Sequence, residues 1–140
     1  MSDPQTVNKT ILIVDDDREL NDGLRAVLEG QGYRVIQASN GIQAREAVYR
    51  QRPDLVVLDM MMPRMGGFPV LEHFRDKPDA PPIIMMTANE GSRHKAYAEF
   101  LGVVSYIRKP FPMEELLEQV EKALTPPPPE EPKPARKPKA

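Results

Sequence analysis

Five short apolar runs, separated by longer amphipathic stretches, limit the possible folds more than any other feature of this sequence. The runs are residues 11–14, 33–38, 55–58, 82–86 and 103–107. The first, third and fourth are continuously apolar, which is typical of strands that helices cover on both faces. Strands that alternate with helices at this spacing indicate repeated β-α units around a parallel sheet. The sequence therefore predicts an α/β fold, a doubly wound (βα)5 domain, and if its strand order is 2-1-3-4-5 the switch point of the sheet lies between the first and third strands.

The stretches between the runs carry the spacing of helices and their usual boundary residues. Leu20, Leu24 and Leu28 recur at intervals of four in the first stretch, as expected of one buried helical face. The last stretch repeats the pattern with Met113, Leu116, Leu117, Val120 and Leu124. The second apolar run contains Arg34 and Gln37, which predicts that its strand lies at an edge of the sheet.

Proline marks a boundary near the C-terminus. Seven of the 16 prolines lie within residues 125–140, and that segment contains no Val, Ile, Leu, Met or aromatic residue. Such a segment cannot bury apolar surface, so we expect a flexible N-terminus at 1–9, a folded domain at 10–124 and a disordered Pro/Lys-rich tail at 125–140. The tail carries a net charge of +2 and the first 124 residues carry −4. We interpret the tail as a solubilising linker rather than a nucleic-acid-binding arm.

Composition excludes several classes of function. The formal charge of the whole chain is −2, which removes any global argument for nucleic acid or an anionic membrane as the main partner. Cysteine is absent, so disulfides, thiolate metal sites and cysteine nucleophiles are excluded, and two histidines argue against a histidine-rich metal centre. The apolar runs are far shorter than the roughly 20 residues of a membrane span, and residues 1–9 do not resemble a signal peptide. We therefore expect a cytoplasmic protein.

Polar residues follow the predicted strands where a ligand would bind. Asp15 and Asp16 follow strand one, Asp59 follows strand three, Thr87 follows strand four and Lys109 follows strand five. In a doubly wound sheet ligands bind beyond the carboxyl ends of the strands, and strands one and three are neighbours there. Three carboxylates in one pocket repel one another, and a hard divalent cation such as Mg²⁺ or Mn²⁺ would compensate their charge.

Each aspartate alone has a simpler explanation as a turn former or helix cap, and Asp17 fits a cap. Coincidence does not explain polar residues at corresponding positions after four of the five predicted strands. No glycine-rich phosphate cradle follows strand one, which argues against a nucleotide site.

The sequence resembles the receiver domains of bacterial two-component response regulators, including the single-domain chemotaxis regulator. The resemblance covers about residues 9–124. It rests on the run IVDDD at 13–17, the run LDMMMPRMGG at 58–67, the pair Thr87-Ala88 and the triplet Lys109-Pro110-Phe111. The implied fold is flavodoxin-like. The implied function is a phosphorylation-dependent switch that catalyses only its own phosphorylation and dephosphorylation.

The resemblance implies a role for each residue of the site. Asp59 would be the phosphoacceptor, and Thr87 and Lys109 would contact the phosphoryl oxygens. The implied Mg²⁺ ligands are Asp16 and Asp59 directly, Asp15 through water and Met61 through its backbone carbonyl. The Lys109-Pro110 bond would be cis, and Tyr106 would turn inward when Thr87 moves, although a half-buried strand tyrosine is the simpler alternative.

The implied partners are a sensor histidine kinase or phosphotransfer protein, which would donate the phosphoryl group, and an unknown output protein. The output protein would bind the surface of the fourth helix, fifth strand and fifth helix. Neither a membrane nor a nucleic acid is expected among the partners.

Two other function classes remain open. A Mg²⁺-dependent phosphohydrolase with an aspartate nucleophile needs a second acid two residues after the nucleophile, where this chain has Met61. An interaction domain that is never phosphorylated usually loses the acidic pair, the threonine or the lysine, and all of these are present here.

Overall fold

The structure, a computed structural model, describes residues 9–62, 64–88 and 92–125. The strands are β1 (Thr10–Val14), β2 (Arg34–Ala38), β3 (Leu55–Asp59), β4 (Ile83–Thr87) and β5 (Ser105–Arg108). The helices are α1 (Arg18–Gly30), α2 (Gly41–Gln51), α3 (Gly67–Phe74), α4 (Ser92–Phe100) and α5 (Met113–Leu124). Strands and helices alternate along the chain, as the sequence predicts.

The five strands form one parallel sheet in the order β2-β1-β3-β4-β5. This confirms the predicted doubly wound (βα)5 fold and the edge position of β2. The strand boundaries differ from prediction by one or two residues. Thus β3 ends on Asp59 and β4 ends on Thr87, so these two polar residues are the last residues of their strands. The predicted start of β5 at residue 103 is two residues early, and Val104, which precedes the strand, is 53% exposed.

Side-chain alternation along the strands builds one hydrophobic core on each face of the sheet. Ile11 and Ile13 of β1 belong to a cluster with apolar residues of α1 and α5. Leu12 and Val14 belong to a second cluster with apolar residues of α2, α3 and α4. Because β1, β3 and β4 are covered on both faces, their sequences are apolar at nearly every position.

Two helices begin at side-chain caps close to the carboxyl edge of the sheet. The Asp17 side chain accepts a hydrogen bond from the Leu20 amide at 3.1 Å, which confirms that Asp17 is the cap of α1. The Asn40 side chain accepts one from the Gln43 amide at 2.9 Å at the start of α2. Gly102 ends the α4 region with a φ of +96°, a backbone conformation that glycine adopts without steric cost.

No helix among residues 9–62, 64–88 and 92–125 is both long and apolar enough to cross a membrane. The predicted tail after Thr125 and nearly all of the predicted flexible N-terminus lie outside the described residues, so both remain predictions.

Candidate functional site

Three aspartates lie together at the carboxyl edge of the sheet. Asp15 directly follows β1 and Asp59 ends β3, and Val14 pairs with Leu58 in the register between these strands. Each of Asp15, Asp16 and Asp59 offers a carboxylate oxygen within 4.8 Å of those of the other two. Asp15 and Asp59 are buried and Asp16 is exposed. The sequence-predicted acidic cluster is therefore present, with one side open to solvent.

Lys109 supplies positive charge to this cluster. Its Nζ lies 2.8 Å from Asp15 Oδ2 and 3.2 Å from Asp59 Oδ1. Burial acts to lower the pKa of Lys109, but the hydrogen bond with Asp15 and the charges of both aspartates outweigh it, and the net effect raises the pKa. The lysine is therefore held charged between the two buried carboxylates.

Asp59 is the carboxylate that the surroundings perturb most. Burial is the largest cause, the charge of Asp15 adds to it, and the charge of Lys109 opposes both. Together these effects raise the pKa of Asp59 from 3.8 to about 6. The positive charge of Lys109 thus does not fully compensate the burial of Asp59 and the negative charge of Asp15. The ionised form of Asp59 remains less favourable than it would be in water.

Hydrogen bonds fix Asp15 in place. Its Oδ1 accepts from the Asp17 amide at 2.9 Å, and its backbone oxygen accepts from Asn21 Nδ2 at 3.1 Å. The same Asn21 nitrogen also donates to the Ala38 oxygen at 3.1 Å, so this buried amide ties β1 to β2 beside the site. The sequence analysis did not identify Asn21 as a residue of the site. Asn21 lies three residues before Leu24 and seven before Leu28, and a polar residue at this spacing, on the buried face of α1, could have indicated it.

Thr87 is the last residue of β4, and Tyr106 lies in the neighbouring strand β5. Thr87 is fully buried, and its hydroxyl donates to the Met60 sulfur at 3.6 Å. The ring of Tyr106 already packs against the core cluster on the α2, α3 and α4 face, and its hydroxyl is buried without a hydrogen-bond partner among the described residues. Tyr106 as a whole is only partly buried, as expected of a half-buried strand tyrosine.

Two other predicted features adjoin residues of the cluster in the chain. The Lys109-Pro110 peptide bond is cis. Met61 is 66% exposed beside the buried Asp59 and Met60. Pro63 and residues 89–91 lie outside the described part of the chain.

Carboxylate oxygens are the ligands that Mg²⁺ and Mn²⁺ prefer. Ligand oxygens across one Mg²⁺ are about 4.2 Å apart, twice the Mg–O distance of about 2.1 Å. The limit of 4.8 Å between the oxygens of Asp15, Asp16 and Asp59 is therefore within about 1 Å of a coordinating arrangement. The unbalanced charge of the cluster also suits a cation, and the residues present fit a divalent metal. A cavity of 430 Å³ adjoins Asp15 and Asp16, and other residues of α1 and β2 line it as well.

The start of α3 packs against the backbone of the site, which leads to a stability prediction. A Cβ added to Gly67 would lie 2.7 Å from the Asp59 backbone oxygen and 3.0 Å from Met60 Cα. We expect Gly67→Ala to lower the free energy of unfolding by about 2 kcal/mol, because neither backbone atom can move aside cheaply. Denaturant unfolding measures this change.

Gly23→Ala is the matched control. Gly23 lies inside α1, and a Cβ there meets nothing within 4 Å. Alanine should raise stability by about 0.5–1 kcal/mol because it favours the helix. Equal stability of the two variants would contradict the close contact of α3 with the strand ends.

The chain is similar in sequence to a known protein family. The family model of the response regulator receiver domain matches residues 11–121. The response regulator MprA of Mycobacterium leprae is 41% identical over 114 residues, which are 81% of this chain and 50% of that protein. The MprA of Mycobacterium bovis is 39% identical over 114 residues, again half of its length. The chain thus spans about half the length of these curated relatives.

Solved structures show the same fold. The non-phosphorylated receiver domain of HemR from Leptospira biflexa superposes with a TM-score of 0.79 at 31% identity, covering 89% of this chain and all of that one. The BeF3-activated N-terminal receiver domain of RstA from Klebsiella pneumoniae has a TM-score of 0.78 at 28% identity, covering 83% of this chain and 98% of that one.

Proposed function

The chain belongs to the family of response regulator receiver domains, and from this we propose that it is a signalling switch that accepts a phosphoryl group on Asp59. The observation that carries the proposal is the contact of the Lys109 ammonium with both buried carboxylates, at 2.8 Å from Asp15 and 3.2 Å from Asp59, beside the oxygens of Asp16. This arrangement provides a nucleophile, a cation for the phosphoryl oxygens and a ligand set for a metal.

The proposed reaction is transfer of a phosphoryl group between a histidine and an aspartate. An Asp59 carboxylate oxygen forms the new O–P bond, and the P–N bond of a phosphohistidine on a sensor kinase or phosphotransfer protein breaks. Lys109 neutralises charge on the phosphoryl oxygens as they approach. Mg²⁺, or Mn²⁺, held by Asp16, Asp59, the Met61 carbonyl and Asp15 through water, would supply further positive charge to the same oxygens when bound.

Thr87 would report the presence of the phosphoryl group. Its hydroxyl now donates to the sulfur of Met60, a weak acceptor. A charged phosphoryl oxygen is a much stronger acceptor, so the hydroxyl would exchange partners after transfer and its loop would shift. Tyr106, with its hydroxyl buried and no partner among the described residues, is positioned to respond to that shift. The surface of α4, β5 and α5 would then present a different shape to an output protein.

The proposal is of a cytoplasmic switch that acts catalytically only on itself. Uptake of one phosphoryl group from acetyl phosphate, present with Mg²⁺ and absent with EDTA, tests it by intact-protein mass spectrometry. A steady turnover of p-nitrophenyl phosphate would instead favour the phosphohydrolase. That alternative is weakened because Met61, exposed at the place of the second acid, has no proton to give or take.

Met61 leads to a prediction about the lifetime of the phosphoryl group. An exposed apolar side chain cannot orient water for attack on the acyl phosphate. In the layout of the receiver-domain family, the positions of Met61 and Asn89 flank the line along which water attacks the acyl phosphate. We therefore expect Met61→Asn combined with Asn89→Glu to shorten the lifetime about tenfold or more. The decay of the phosphorylated species, followed by mass spectrometry, measures this change. Met61→Leu is the matched control and should leave the lifetime unchanged. Equal decay of the parent and the double variant would show that these positions do not control hydrolysis here.

A further inference from the structure

One face of α5 is acidic and has no partner among the described residues. Glu114, Glu118 and Glu121 recur at intervals of four and three, so they form one exposed stripe, which we call the α5 acidic stripe. None of these three carboxylates makes an ion pair or hydrogen bond within residues 9–62, 64–88 and 92–125. Like charges one turn apart on a helix repel one another. The stripe is therefore a surface that a cationic ligand would stabilise.

A cavity opens at the C-terminal end of the same helix. It has a volume of 380 Å³ and is lined by Val104, Ser105, Gln119, Lys122, Ala123 and Thr125. Val104 is 53% exposed, although it is apolar. Thr125 is the last residue that the structure describes, so the chain continues directly from the wall of this cavity.

The chain beyond Thr125 has the composition to cover both features. Residues 126–129 are four consecutive prolines, and Lys133, Arg136, Lys137 and Lys139 place four positive charges within seven residues. Consecutive prolines favour an extended polyproline helix that docks on apolar surface without a large loss of conformational entropy. These basic residues are opposite in charge to the glutamates of the α5 acidic stripe.

The length of the tail is sufficient. Lys133 follows Thr125 by eight residues, which span up to about 25 Å at about 3.1 Å per residue. Helix α5 has 12 residues and is about 18 Å long at 1.5 Å per residue. With the prolines at the C-terminal end of the helix, the chain after Pro129 spans up to about 12 Å to Lys133 and about 31 Å to Lys139, so the basic residues together can reach the whole stripe.

We propose that residues 126–140 dock on their own domain, with the prolines over the Val104 cavity and the basic residues over the α5 acidic stripe. Covalent attachment holds the tail at an effective concentration of the order of millimolar, which favours this site over the same surface of a second molecule. The contacts are exposed charge pairs, each a small contribution to the free energy, so the docked state is weakened by salt.

The absence of cysteine from the chain allows a direct test. A nitroxide spin label is attached to the single cysteine of Ala140→Cys in the full chain, without any phosphoryl donor, and the loss of amide NMR intensity is mapped. The proposal predicts intensity loss along α5 and none along α2, whose apolar residues pack on the opposite face of the sheet. The loss should disappear at about 1 M salt, where the screening length is about 3 Å.

Matched variants separate charge docking from general proximity. The triple variant Glu114→Gln, Glu118→Gln and Glu121→Gln should abolish the intensity loss along α5. Neutralising three exposed acids elsewhere, with Glu46→Gln, Asp76→Asn and Asp79→Asn, should leave it intact. Intensity loss spread evenly over the surface, or equal in both triple variants, would overturn the proposal. Equal loss in a mixture of spin-labelled protein that lacks ¹⁵N with ¹⁵N protein that lacks the spin label would overturn docking in cis and assign the tail to a second copy. Neither result would bear on phosphorylation of Asp59.

Discussion

Replacing Asp59 with asparagine is expected to abolish phosphoryl uptake, a loss of more than about 100-fold relative to the parent. The asparagine side chain has nearly the volume of the aspartate carboxylate, but its amide is a very poor nucleophile. The substitution also removes one of the three carboxylates that the metal would bind. The measurement is intact-protein mass after incubation with acetyl phosphate and Mg²⁺.

Asp54→Asn is the matched control for this prediction. Asp54 directly precedes β3, at the opposite end of the strand from Asp59, and its side chain accepts a hydrogen bond from the Thr10 amide at 2.8 Å. Asparagine can still accept that bond, so the control should take up one phosphoryl group as the parent does. Equal uptake by Asp59→Asn and the parent would show that another residue is the acceptor.

The same substitution should stabilise the metal-free protein near neutral pH. Because the folded-state pKa of Asp59 is raised from 3.8 to about 6, the folded protein binds this proton more tightly than the unfolded chain does. The stabilisation from that proton is present below about pH 4 and is lost as the pH rises to about 6. The Asp59→Asn variant has no carboxyl group to ionise at this position. Its free energy of unfolding at pH 7 should therefore exceed that of the parent by on the order of 2 kcal/mol.

Four thermal melts at neutral pH test this prediction, on parent and Asp59→Asn, each in EDTA and in excess Mg²⁺. The variant should melt higher than the parent in EDTA, and this difference should vanish in a further pair of melts near pH 4. Mg²⁺ should raise the melting temperature of the parent more than that of the variant, which has lost a ligand. A variant that melts lower in EDTA, together with no Mg²⁺ effect on either protein, would contradict a shared carboxylate site.

The positions of the strands could be predicted from the sequence because they depend on local patterns, and the position of the acidic cluster followed once the strand order 2-1-3-4-5 was assumed. Continuous apolar runs such as 55–58 indicate a strand covered on two faces, and the topology then brings the residues after β1 and β3 together. The predicted ends of the strands were less accurate. Val104 is apolar and β-branched like a strand residue, but it lies exposed before β5, and a local pattern does not reveal which residues pair.

Long-range polar contacts could not be predicted in the same way. That Lys109 contacts both Asp15 and Asp59 depends on the arrangement of three strands of the sheet. The Thr87 hydroxyl donates to Met60, and the Tyr106 ring packs against the core, because the helices on that face determine the space around them. Asn21 was overlooked for a related reason, since a buried amide can be recognised only when its two backbone acceptors are known.

The central claim, that Asp59 in the carboxylate and lysine site is the phosphoacceptor, is tested most directly by locating the modification. Borohydride reduces an aspartyl phosphate to homoserine, and peptide mapping by tandem mass spectrometry identifies the position of that homoserine. After treatment of the full chain with acetyl phosphate and Mg²⁺, we expect homoserine at position 59 and none in a parallel sample that contains EDTA. Homoserine at position 15 or 16, or the same yield at position 59 with and without the metal, would contradict that claim.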